Sequence, residues 1–169
     1  MKVFEAIRNR RSIRKYLDKN IPDDIVDKLL EAAMYAPSAR NERSWHFIVI
    51  NKRELLDEIT KVHPYSSMLK QAPLAILVCG DTSIEPSVEY NAINCSAATQ
   101  NILLAAYEMG LGTCWLGVFP RQDRVAGLTK LFNLPGNIIP ISLVAVGYPD
   151  ETKETPERFM KDRVRYNSW

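Results

Sequence analysis

Residues 86–109 read PSVEYNAINCSAATQNILLAAYEM and are followed by Gly110, and the fold turns on this stretch. Ala92, Cys95, Ser96, Thr99, Leu103 and Ala106 recur at helical spacing on one face, and Gly110 is placed to cap the end. A face so rich in small side chains lets neighbouring elements approach closely, which makes this the central helix of the domain. That face packs either within the core or across a dimer interface; both readings stay open.

Strand-like runs surround this helix. Residues 74–79 are apolar and bounded by Pro73 and Gly80, residues 45–50 are aromatic and β-branched, and both runs read as buried strands. Residues 113–118 and 138–146 add two more, with a helical pattern at 125–131 between them, so the sheet has at least four strands. Upstream, Pro22, Asp23 and Asp24 start a second helix, with Ile25, Leu29 and Ala33 on its apolar face and Pro37 closing it. Val3, Phe4 and Ile7 trace a short first helix leading into the basic run from Arg8 to Lys15. No element is read between Ile50 and Leu74.

The 169 residues are 46% apolar and 25% charged, the size and balance of one globular domain spanning 1–169. Lysine plus arginine exceed aspartate plus glutamate by only 22 to 20, which argues against a nucleic-acid or membrane partner. Cys79, Cys95 and Cys114 are widely spaced among apolar or small residues and read as free thiols in a reducing, cytoplasmic setting. No apolar run approaches the roughly 20 residues of a membrane span. From Asp150 to Arg165 the chain is polar and charged, with few aliphatics to build a core, so this tail is expected to dock on something.

His46 and His63 are the two histidines, and no Cys-x-x-Cys or His/Cys spacing supplies a metal ligand set. Walker, Gly-x-Ser-x-Gly and Gly-x-Gly-x-x-Gly motifs are absent too, so no dedicated Rossmann site for a nicotinamide is expected. What remains is the basic stretch. Arg10, Arg11, Ser12 and Arg14 lie at a helix end, where guanidinium forks and a hydroxyl can hold a phosphate or another planar anion. A solvated basic face fits the same residues, and a nucleic-acid arm fits less well because no aromatic side chain interrupts the arginines.

That stretch resembles the opening motif of the FMN-dependent nitroreductase family. Ala36-Pro37-Ser38-Ala39-Arg40-Asn41 with Trp45-His46-Phe47 resembles its second motif. Agreement continues in order through Met68–Pro73, Ala97–Asn101, Gly110–Gly117 and Arg163–Trp169, covering nearly the whole chain. The resemblance implies an α+β fold with a central mixed, mainly antiparallel sheet flanked by helices, and a homodimer exchanging C-terminal tails around two FMN sites. It also implies hydride transfer from NADH or NADPH through flavin N5 to a nitroaromatic, quinone or flavin acceptor, in ping-pong order. A flavin carrier or redox sensor without turnover is the alternative.

Carried over by position, Arg10, Arg11 and Ser12 meet the FMN phosphate and ribityl end, and Arg14 approaches N1 and the C2 carbonyl. Reduction places negative charge there, so a fixed cation tunes the potential. Pro37, Ser38, Ala39 and Asn41 come from the other subunit, while Trp115, Leu116 and Gly117 run past the flavin in the first. The Gly117 amide is the implied donor to N5, which together with Arg14 makes the catalytic pair. Arg158 and Arg163 both fit a phosphate ligand near the C-terminus, with Arg163 preferred. The family often carries Gly, Gln and Pro where this chain has Arg40, Arg43 and Ser44. These arginines read first as solvated, and second as contacts for an acidic acceptor or the 2'-phosphate of NADPH. The short segment between Gly80 and Pro86 leaves little room for a dehalogenase lid.

Overall fold

The computed structural model describes residues 3–169. In chain order its elements are α1 (Val3–Asn9), α2 (Asp23–Met34), β1 (Trp45–Ile50), α3 (Arg53–Val62), β2 (Leu74–Asp81), α4 (Val88–Glu108), β3 (Gly112–Gly117), α5 (Gln122–Leu131) and β4 (Ile138–Gly147). The four strands form one sheet in the order β1-β2-β4-β3, and all three pairings are antiparallel. A parallel bridge between Ser12 and Thr113 adds a short fourth pairing at the β3 edge. The α+β architecture expected from the sequence is present, and no helix among the described residues is long and apolar enough to cross a membrane.

β2 reads as a continuous apolar run because helices cover both of its faces. Leu74, Ile76 and Val78 pack with Cys95, Ala98, Ile102 and Leu29 of α4 and α2. Ala75, Leu77 and Cys79 pack with Leu56, Ile59 and Leu128 of α3 and α5. β4 alternates the same way until the register slips between Val78 and Cys79, which leaves Ile141 without a partner in β2. The Ile141 carbonyl accepts instead from the amides of Val118 and Phe119, and this bulge turns the chain out of β3 toward α5.

Four expectations need correction. β1 is an edge strand with His46 and Val49 exposed rather than a buried one, because only β2 flanks it. The buried face of α2 is Val26, Leu29 and Ala33, with Ile25 half-buried and Pro22 at the N-cap. α3 fills the interval left unassigned: Leu55, Leu56, Ile59 and Val62 fall at helical spacing and pack on the α5 side of the core. The central helix buries Asn91, Asn94, Cys95, Ala98, Thr99, Ile102, Leu103 and Ala106, so its face is rotated slightly from the expected one. Gly110 caps it with φ of 73°, a conformation glycine adopts at little cost.

Gly112, where β3 begins, has no room for a side chain, since a Cβ there would stand 2.8 Å from the Cβ of Ile13. Gly112→Ala should therefore push the segment carrying the arginines off the sheet edge. Urea unfolding should show a loss of about 1–3 kcal/mol, as expected for overpacking, with the denaturant slope unchanged.

Candidate active site

β3 has β4 on one side only, so its other edge is open to the chain that precedes α2. There the Ile13 amide donates to the Thr113 carbonyl at 2.9 Å. Along an antiparallel strand a residue's amide and carbonyl point to the same side, and the side alternates with each residue. Thr113 faces outward, so Trp115 and Gly117 do as well, whereas Cys114 and Leu116 face β4. The Gly117 carbonyl fits this parity, accepting from His63 and Arg124 outside the sheet.

The residues after α1 are held on this edge by several contacts. The Tyr16 hydroxyl donates to the Ile13 carbonyl at 2.6 Å, and Glu151 accepts the Arg14 amide at 2.6 Å. Arg11 spends its N–H groups on the carbonyls of Glu154, Arg10 and Arg8, which closes the end of α1 and straps the tail to it. Burial raises the Cys114 thiol and the charges of Arg14 and Arg10 both lower it against that larger effect, but Arg10 borders the hollow beside Thr113 and Arg14 the one beside Cys114. Burial, with Arg11 and then Arg158 as neighbouring cations, holds Arg10 below the ordinary guanidinium range. Such a group of like charges is costly unless an anion joins it.

Beyond Thr113 the edge opens into a cavity of about 460 Å³ whose lining includes Arg14, His63, Tyr65, Met68, Trp115, Gly117 and Arg124. No carboxylate lines it. A Cβ on Gly117 would meet nothing within 4 Å, and the Arg124 Nε is buried without a partner. A planar, electron-accepting group with anionic edges fits a slot with an open strand edge, two cations and space above a glycine. The three cysteines are free and buried. Burial pushes the Cys79 and Cys95 thiols up to about 12, so neither is a ready nucleophile.

Residues Pro37 to Asn41 lie three strands away, in the loop that leads into β1 at the opposite edge of the sheet. That loop is tightly held. Arg40, Asn41 and Arg43 have φ of 51°, 58° and 51°, in the left-handed region where glycine is favoured. The Ala39 amide donates to Asn94 at 2.9 Å, and Ser38 Oγ accepts the Arg43 amide at 2.9 Å. Arg40 pairs with buried Glu85 and lies 5.5 Å over the Tyr90 ring. It is tied within its own chain by this pair while its side chain stays 57% exposed, as expected for a solvated arginine.

The Nitroreductase family model matches residues 7–63 and 60–148. The chain belongs to the nitroreductase family. It is 50% identical over 169 residues to a Methanothermobacter thermautotrophicus protein provisionally named NADH dehydrogenase/NAD(P)H nitroreductase, covering 100% of this chain and 88% of that one. A crystal structure of a Parabacteroides distasonis protein of the same provisional name superimposes with a TM-score of 0.95 at 40% identity, covering 99% and 98% of the two chains. An FMN-dependent nitroreductase from Clostridium difficile gives 0.91 at 30% identity, covering 98% and 99%. As a member of this family the chain is an oxidoreductase.

Two residues outside the set expected from the sequence also line the cavity beyond Thr113: His63 and Arg124. Burial is the main cause that lowers His63 below its ordinary 6.5; the Arg124 charge acts in the same sense, while the Gly117 carbonyl and Asp123 oppose it. The unfolded chain therefore takes up this proton at a higher pH than the folded protein does. Stability should fall as pH drops below 6.5 toward the folded value and be level in this respect above it. Urea unfolding across that interval should show the slope in the native protein and a shallower one in His63→Gln.

Proposed function

We propose that this nitroreductase-family chain, a single domain over 1–169, is an FMN-dependent enzyme passing hydride from NADH or NADPH to a nitroaromatic, quinone or flavin acceptor. The observation that carries this reading is the outer edge of β3, where cations, outward amides and an uncovered glycine line one slot. The FMN dependence of the Clostridium difficile relative supports the choice of cofactor.

Arg10 and Arg158 hold the phosphate, since the Arg158 charge acts on Arg10. Arg163, in the short turn Lys161–Arg163, is the alternative phosphate ligand. Ser12 serves the ribityl chain, and Arg11 acts by bracing the segment through its three carbonyl contacts. Arg14 lies against N1 and the C2 carbonyl. Trp115, Leu116 and Gly117 border the ring, and the Gly117 amide donates to N5. When bound, FMN supplies a two-electron acceptor and donor at N5. The chain orients it, keeps Arg14 where negative charge accumulates on reduction, and leaves one face of the slot for the nicotinamide and then the acceptor. Sequential use of one slot makes the kinetics ping-pong.

A second copy completes the site. Pro37, Ser38, Ala39 and Asn41 stand at the opposite sheet edge from Gly117 and reach the slot of the other subunit. The surface supports this: Phe4, Ile7, Tyr35, Ile93, Phe159 and Tyr166 are exposed, and Trp169 is 100% exposed. Apolar side chains so distributed over α1, the end of α2, α4 and the tail suit burial between copies. Free buried thiols agree with a cytoplasmic location.

The roles of the two arginines separate in one experiment. Spectroelectrochemical titration of Arg14→Ala saturated with FMN should give a reduction potential several tens of millivolts lower, because a charge-assisted contact to the reduced state is lost. Arg10→Ala should weaken FMN binding and leave the potential of the bound cofactor unchanged. Equal shifts in both would contradict the division of roles.

Removing residues 150–169 should cost the dimer and FMN together, measured by sedimentation and by flavin released per chain. A truncated chain that remained dimeric and fully loaded would refute the placement of the tail.

A further inference from the structure

Gly117 ends β3 and carries the amide assigned to N5, yet glycine is the residue whose backbone is least restrained by its own side chain. Two side chains from elsewhere converge on its carbonyl. His63 Nε2 lies 2.9 Å from it and Arg124 Nη1 lies 2.7 Å from it.

The His63 ring can play only one part in this arrangement. Its Nδ1 lies 3.3 Å from the Tyr65 amide, a group that can only donate, so Nδ1 keeps its lone pair and Nε2 carries the proton. That proton points at Gly117. The ring is 1% exposed and follows the last residue of α3, so helix and core together fix its position. Arg124 comes from the first turn of α5, with its guanidinium 5.3 Å from the centre of the Tyr65 ring. The two helices can bring their donors together because α5 carries Gly127 where it meets α3. A Cβ there would stand 2.2 Å from Val62 Cγ1.

We infer that His63 and Arg124 are positioning residues, which by donating together to the Gly117 carbonyl fix the Gly117 backbone and thereby aim its amide at the flavin. This inference rests on the reading that FMN lies along the β3 edge. The carbonyl and amide of one residue are joined through only two soft torsions; at Gly117 the pairing with Ser142 of β4 confines them, and two donors on the carbonyl remove what freedom is left to the amide. A general stabilising role for the same side chains would not act selectively on N5.

The test loads native protein, His63→Leu, His63→Gln and Arg124→Met with FMN labelled with nitrogen-15 at N5. It measures the N5 resonance, FMN affinity and the rate of flavin reduction by NADH in a single turnover. In protein saturated with FMN, His63→Leu and Arg124→Met should each move the N5 resonance toward that of free FMN and slow reduction by about tenfold, the scale of one lost hydrogen bond. His63→Gln, which keeps a donor, should restore most of both properties. An unmoved N5 resonance in Arg124→Met overturns the inference, and so does an effect confined to FMN affinity. If His63→Leu does not fold, Arg124→Met decides alone. Native protein whose N5 resonance already matches free FMN, or that binds no FMN, overturns the reading of the β3 edge itself. A shifted native resonance with unmoved variants overturns only the role given to His63 and Arg124.

Discussion

The bond from the Ile13 amide to the Thr113 carbonyl is the constraint on which the rest of the site depends. It lays the segment after α1 against the open edge of β3, and it sets which residues of that strand face outward. From that parity follow the outward amides of Trp115 and Gly117 and the inward ones of Cys114 and Leu116. Gly112 allows the close approach and Tyr16 pins it from below. Without this contact the arginines belong to a solvated helix end; with it, Arg14 borders the slot and Arg10 the hollow next to it.

The cationic character of the slot is maintained by what is kept out of it. Acids near the arginine segment are engaged elsewhere: Glu151 accepts a backbone amide and Lys153, and Glu157 reaches Arg8 and its own neighbouring amides. At the far sheet edge the opposite solution applies. Buried Glu85 takes Arg40, and Asn94 takes the Ala39 amide, so a loop with three left-handed residues keeps one shape. Arg40 offsets locally the freedom that a glycine would have supplied there.

Much of the scaffold was legible in the sequence, because its signals are local. The continuous apolar run of β2 reports two covered faces, and Gly110 reports the end of α4. α3 carries a local signal too, Leu55, Leu56, Ile59 and Val62 at helical spacing, in a short and highly charged stretch where the sequence yields no element. The exposure of β1 was not legible, since an edge and a central strand carry the same aromatic and β-branched residues until the strand order is known. The arginine segment and the strand past Gly117 were read from their motifs, and the fold brings them to one edge. The convergence of His63 and Arg124 had no local signal, because they lie 54 and 7 residues from Gly117 and meet only when α3 and α5 pack. The Arg40–Glu85 pair has no local signal either, because the two residues lie 45 positions apart.

In the proposed arrangement one FMN is held by the β3 edge of one chain and the loop before β1 of another. Mixing two defective chains tests it most directly: Arg10→Ala, damaged at the β3 edge, and Ala39→Trp, with the loop blocked. Each alone should bind FMN poorly. Refolded together, they form a heterodimer in which one slot has both defects and the other has neither, so about one FMN per mixed dimer should be recovered with native affinity. No recovery on mixing, or an Ala39→Trp homodimer that binds FMN as well as the native protein does, would contradict the claim.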